Sequence, residues 1–140
     1  MNGNLIHIIN GALLEDRVSS QLFLGLLRIA DVLLHPFPFD GSRTSADSLA
    51  MGIPMITMPT EYLRGRMGAA FLRYKRFTSI CNTNRTMNIP ELVARNRSEY
   101  VKIAHELSVN SALYSSVTKK IKERSHLIWE VYIVLHFIDT

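Results

Sequence analysis

Seven consecutive residues, Gly41-Ser42-Arg43-Thr44-Ser45-Ala46-Asp47, hold the side-chain types that grip a phosphate and a sugar diol. A helix beginning inside this run points the free backbone amides of its first turn, and the positive end of its dipole, at whatever lies in front of it. Phosphate oxygens suit that position. The hydroxyls of Ser42, Thr44 and Ser45 add donors, and Arg43 adds a planar cation that can bridge two phosphate oxygens. Asp47, one turn into the helix, could accept hydrogen bonds from a ribose diol. Each residue alone also has a plainer use. Thr44-Ser45-Ala46-Asp47 has the spacing of a capping box, with Asp for the usual Glu or Gln, and capping boxes are commoner than nucleotide sites. Gly41 can be an ordinary turn, and a histidine at a strand end, such as His35, is more often a satisfied core group than a base.

Little else in the chain suggests chemistry. Cys81 stands alone, so neither a disulfide framework nor a cysteine-based metal site is expected, and no residue is expected to bind metal. The net charge of +4 is spread among acids, apart from Lys119, Lys120, Lys122 and Arg124, which read as the solvated face of a helix. Neither nucleic acid nor a membrane is expected as a partner. Hydrophobic residues make up 47% and charged ones 20%, an ordinary globular composition with no low-complexity tract. No apolar run approaches the roughly 20 residues that cross a bilayer, and Met1-Asn2-Gly3-Asn4 does not open a secretory signal. The expected location is cytoplasmic, with the nucleus as the other open compartment.

The elements that must position the Gly41–Asp47 run alternate between strand and helix periodicity, the pattern of an α/β domain. A first strand is expected within 4–14 and a helix over 19–29, capped by Ser19 or Ser20. Val32-Leu33-Leu34 reads as a short buried strand closed by Pro36 and Pro38. Asp40-Gly41-Ser42 is turn chemistry, and a helix runs from about Thr44 to Met51, stopped by Gly52 in a left-handed conformation. Met55–Met58 is the next strand, and a long basic helix covers 63–77. The stretch 81–88 reads as a polar loop and Leu92-Val93-Ala94 as an edge strand. Two helices follow, near 98–107 and 112–123. Strands joined by helices favour a parallel sheet covered on both faces. About four strands are visible where five or six are usual, so the sequence resembles the second half of a doubly wound domain: an α/β fold with a partial parallel sheet.

The run Ala30-Asp31-Val32-Leu33-Leu34-His35-Pro36-Phe37-Pro38-Phe39-Asp40-Gly41, then Thr44, Asp47, Leu49, and Gly52-Ile53-Pro54-Met55-Ile56-Thr57-Met58-Pro59, followed by Arg66, resembles the O-GlcNAc transferase and Spindly family. Glu91-Leu92-Val93-Ala94, Asn96 and Glu99-Tyr100 continue the likeness, which covers roughly Val18 to Arg124. The resemblance implies a two-lobed GT-B glycosyltransferase whose C-terminal lobe holds the diphosphate of a nucleotide-sugar donor, UDP-GlcNAc or another UDP- or GDP-sugar, for transfer to Ser or Thr of an acceptor protein. Thr44 then matches a phosphate-contacting threonine, Asp47 the acid that holds the ribose, and Gly41 the glycine before the binding helix. Where the UDP-using members carry a His-Thr pair, this chain has Ser42 and Arg43. Their Lys and His on the preceding helix fall at Ser20 and Phe23.

The family's proposed catalytic histidine lies on the N-terminal lobe, so no catalytic residue is expected here and that lobe is an expected partner. Residues 1–126 are expected to form the partial nucleotide-sugar-binding domain and residues 127–140 a divergent apolar tail. Excess apolar surface would favour self-association. The alternatives are a non-catalytic fragment, or an α/β module that binds a partner along its open sheet edge.

Overall fold

The structure, a computed structural model, describes residues 19–73 and 87–128. The first strand expected within 4–14, Cys81 and most of the tail lie outside those residues. Helix α1 (Ser20–Ile29) starts where a hydroxyl can cap it: Ser19 Oγ accepts the Leu22 amide at 3.2 Å. Strand β1 (Leu33–Leu34) leads through the proline loop into α2 (Arg43–Ala50), and β2 (Met55–Ile56) returns parallel to β1. Leu33 pairs with Met55 and Leu34 with Ile56, through Leu33 N–H to the Pro54 carbonyl and His35 N–H to the Ile56 carbonyl. α2 ends because Gly52 turns left-handed at φ +81°, a conformation that any β-carbon penalises.

A third parallel strand is reduced to one bridge, Thr57 to Val93. The edge strand expected at Leu92–Ala94 is instead a 3-10 turn, Pro90–Leu92, with Val93 alone in ladder position. Pro90 has no amide to donate, and its fixed φ starts the turn. Within the polar loop expected at 81–88, Met87 proves to be buried, beside Ile89, against Phe71 and Leu72.

The long basic helix expected over 63–77 is also interrupted. A 3-10 turn, Leu63–Gly65, is followed by Arg66 at φ −126°, and helix α3 (Met67–Arg73) begins afresh. Gly65 sits so close to Thr60 and the Pro38 carbonyl that a β-carbon would collide with both. Helix α4 (Arg97–Val109) is capped by Asn96, whose side chain accepts the Glu99 amide at 2.9 Å while Glu99 takes the Arg95 amide. Asn110 closes α4 and caps α5 (Ser111–Arg124), so one residue makes the corner. The core joins Leu49 and Ala46 of α2 to Met55, Ile56, Phe71, Leu107, Val117 and Ile121. Ile128 belongs to that core too, past residue 126 where the divergent tail is expected to begin.

Candidate nucleotide-binding site

His35 directly follows β1, and its side chain is 2% exposed. Its Nε2 accepts the Gly41 N–H at 3.1 Å, which requires that nitrogen to be free of a proton and puts the ring proton on Nδ1. Nδ1 then stands 3.4 Å from Asp40 Oδ2, close enough for attraction but without hydrogen-bond geometry. Ser45 Oγ lies 2.7 Å from the same Nε2 and donates to the Gly41 carbonyl. Both backbone groups of Gly41 are thus held by the side chains of His35 and Ser45.

Ser45, His35 and Asp40 have the order of a hydrolytic triad, yet the serine is fully buried and no substrate can reach it. They position the loop. His35 is anchored further by its carbonyl, which accepts from the Tyr100 hydroxyl at 2.8 Å. Burial pushes the Tyr100 phenol up to about 12, so it remains a donor at any ordinary pH.

Asp40 does more than turn the chain. It is 5% exposed, and its Oδ2 accepts the Gly68 N–H at 3.0 Å, inside the first turn of α3. An orphan amide of that helix is therefore satisfied by a carboxyl 28 residues earlier in the chain. The Asp40 N–H also donates to the Arg64 carbonyl at 2.9 Å, so the loop before α2 and the segment before α3 are tied together.

α2 starts with Ser42 in the cap position and no side chain bonding its first turn. The capping box that was the plainer alternative for Thr44 and Asp47 is not formed. The helix begins at Arg43, two residues earlier than that spacing requires, which leaves Asp47 in the second turn. There it faces Arg43 Nε at 4.0 Å. Gly41 is favoured here, because a β-carbon would collide with the Thr44 hydroxyl unless that side chain moved.

In front of this helix start lies an open cleft of about 920 Å³. Asp40, Gly41, Ser42, Arg43 and Thr44 line one side, and Phe39, Tyr62, Leu63, Arg64 and Met67 complete it. Four of the six expected site residues, Gly41, Ser42, Arg43 and Thr44, are brought together there. The other two are not in its lining. Ser45 points inward beside His35, its hydroxyl donating to the Gly41 carbonyl, which corrects the expectation that it donates to a phosphate. Asp47 stands one turn beyond Arg43 on the same helix face.

The opposite wall was not legible as site. Its signal is exposure: Phe39 is 65% exposed, Tyr62 61% and Leu63 59%, a cluster of large apolar groups around a polar loop. Among the described residues, no three His, Cys, Asp or Glu side chains gather as a metal site, and no helix is long and apolar enough to cross a membrane.

Comparison with known proteins places this geometry. A family model described as "Glycosyl transferase family 41" matches residues 21–132. A Petunia hybrida protein named "Probable UDP-N-acetylglucosamine--peptide N-acetylglucosaminyltransferase SPINDLY" is 30% identical over 95 residues, 68% of this chain and 9% of its own length. The Caenorhabditis elegans UDP-N-acetylglucosamine–peptide N-acetylglucosaminyltransferase is 33% identical over 94 residues, 67% of this chain and 7% of its own. The chain therefore spans less than a tenth of the length of these relatives. Among solved structures, an O-GlcNAc transferase mutant from Thermobaculum terrenum superposes with a TM-score of 0.65 at 24% identity, over 80% of this chain and 19% of that one. The described strands and helices thus have the fold of the matching part of that enzyme.

Proposed function

The chain belongs to glycosyl transferase family 41, and on that premise we propose that it is the part of a protein glycosyltransferase that holds the nucleotide-sugar donor. One observation carries this reading: the uncapped first turn of α2 opens directly onto a cleft lined by Gly41, Ser42, Arg43 and Thr44. Free amides and a positive helix end, with a guanidinium beside them, form an anion site. The diphosphate of the donor binds there, with the Ser42 and Thr44 hydroxyls as further donors. Asp47 accepts the ribose diol from its place one turn along the same face. Ser45 serves from behind, holding Gly41 in register.

During transfer, the bond between the sugar's anomeric carbon and the diphosphate breaks, and negative charge grows on the departing phosphate oxygen. Donors already aimed at that oxygen stabilise it without having to reorganise. Two relatives are named for UDP-N-acetylglucosamine and a peptide acceptor, which makes UDP-GlcNAc the first donor to try and a Ser or Thr hydroxyl of a protein the acceptor. No described side chain is assigned as the base. Transfer is assigned to the two-lobed enzyme, whose N-terminal lobe closes over donor and acceptor, and not to these 140 residues by themselves.

The test is thermal unfolding of the chain with UDP, GDP and their sugars. A nucleotide at about 100 times its dissociation constant adds about 2.7 kcal/mol if it binds only the folded state. UDP and UDP-GlcNAc are expected to raise the melting temperature. A melting temperature unmoved by every nucleotide overturns the reading and leaves a fold that has kept its shape without its ligand.

A further inference from the structure

The cleft's second wall has no role in the diphosphate reading so far, and it carries a second guanidinium. Arg64 lines the same cleft as Gly41–Thr44, on a backbone tied to the loop before α2. The Asp40 N–H donates to the Arg64 carbonyl, Asp40 Oδ2 takes the Gly68 N–H, and the Thr60 hydroxyl donates to the Pro38 carbonyl at 3.3 Å. The Arg64 guanidinium lies over the Tyr62 ring, 5.2 Å from its centroid. A guanidinium attracted to a ring in this way still has N–H donors for another acceptor. The neighbouring Arg66 has no such freedom, because its Nε donates to the Thr60 carbonyl at 2.7 Å. Arg64 makes no ion pair among the described residues, and the lining carboxyl, Asp40, is buried with Oδ2 on the Gly68 N–H. Arg43 and Arg64 therefore both line one cleft.

We propose that Arg64 is a second phosphate-binding residue, which makes the cleft selective for a nucleoside diphosphate over a monophosphate. The inference rests on the nucleotide reading above. One phosphate takes the α2 amides and Arg43, and the Arg64 guanidinium, beside Tyr62, takes the other. A monophosphate fills only the first position.

Titration calorimetry of the chain with UDP and with UMP, on wild type and Arg64→Gln, tests this. UDP affinity is expected to fall roughly tenfold or more in Arg64→Gln, as for one lost charge-assisted contact, while UMP affinity changes by about twofold or less. Arg64 is exposed, so the melting temperature of the variant should match wild type. Arg64→Lys, which keeps the charge and loses the fork, should show a smaller loss in the same direction. UDP affinity unchanged in Arg64→Gln, or an equal loss for UDP and UMP, overturns the inference while leaving the nucleotide reading intact. Wild type that binds neither nucleotide overturns both.

Discussion

Removing the Asp40 carboxyl should loosen the cleft at its hinge, and the size of the effect follows from what that carboxyl holds. Asp40→Ala leaves the buried Gly68 N–H without an acceptor and takes the only carboxyl from beside His35 Nδ1 among the described residues. An unsatisfied buried donor costs about 1–3 kcal/mol, and a lost helix cap costs about as much for the same bond. The two figures describe one interaction and are not added, so about 2 kcal/mol is expected. With a urea m-value of about 1–3 kcal/mol/M, the midpoint should fall by roughly 0.7–2 M at unchanged m. Asp40→Asn keeps an oxygen for Gly68 and should cost under about 1 kcal/mol, since only the charge is lost. Urea titration followed by circular dichroism measures all three proteins. An Asp40→Ala protein within about 0.5 kcal/mol of wild type, the scatter expected of a surface change, would refute the tie between loop and α3.

Two other substitutions separate binding from stability. Asp47→Asn should leave stability within about 0.5 kcal/mol, because Asp47 caps nothing and its pair with the exposed Arg43 is weak. UDP affinity should fall more than about tenfold, which calorimetry reads directly. Gly41→Ala should cost about 1–3 kcal/mol, because its methyl meets the Thr44 hydroxyl. Adding Thr44→Ala should restore stability without restoring UDP binding, a coupling that a double-mutant cycle measures.

The parts of this molecule written in local chemistry were legible from sequence. Ser19, Gly52 and the parallel pairing of Leu33–Leu34 with Met55–Ile56 follow from a hydroxyl, a missing β-carbon and two apolar runs fenced by prolines. The last two helices lie close to where they were expected, each started by an asparagine cap, Asn96 and Asn110. What could not be read depends on contacts distant in sequence. Nothing around Arg66 announces that a helix must restart there. The cause is a close approach to Pro38 and Thr60 at Gly65, and a cap supplied by Asp40. Ser45 and Thr44 look alike as donors in a motif, yet the helical rotation turns one to His35 and the other to the cleft. The capping box that the spacing offered as the plainer alternative fails for the same reason: starting α2 two residues earlier changes the use of every side chain in its first turn.

The central claim is that a nucleotide diphosphate sits on the first turn of α2, and backbone amide chemical shifts of the labelled chain during a UDP titration locate the ligand directly. The account predicts saturable shifts concentrated in the amides of Gly41, Ser42, Arg43, Thr44 and Ser45, with Asp47 and Arg64 following and α4 and α5 still. Shifts clustered away from α2, or no shifts at saturating UDP, would contradict it.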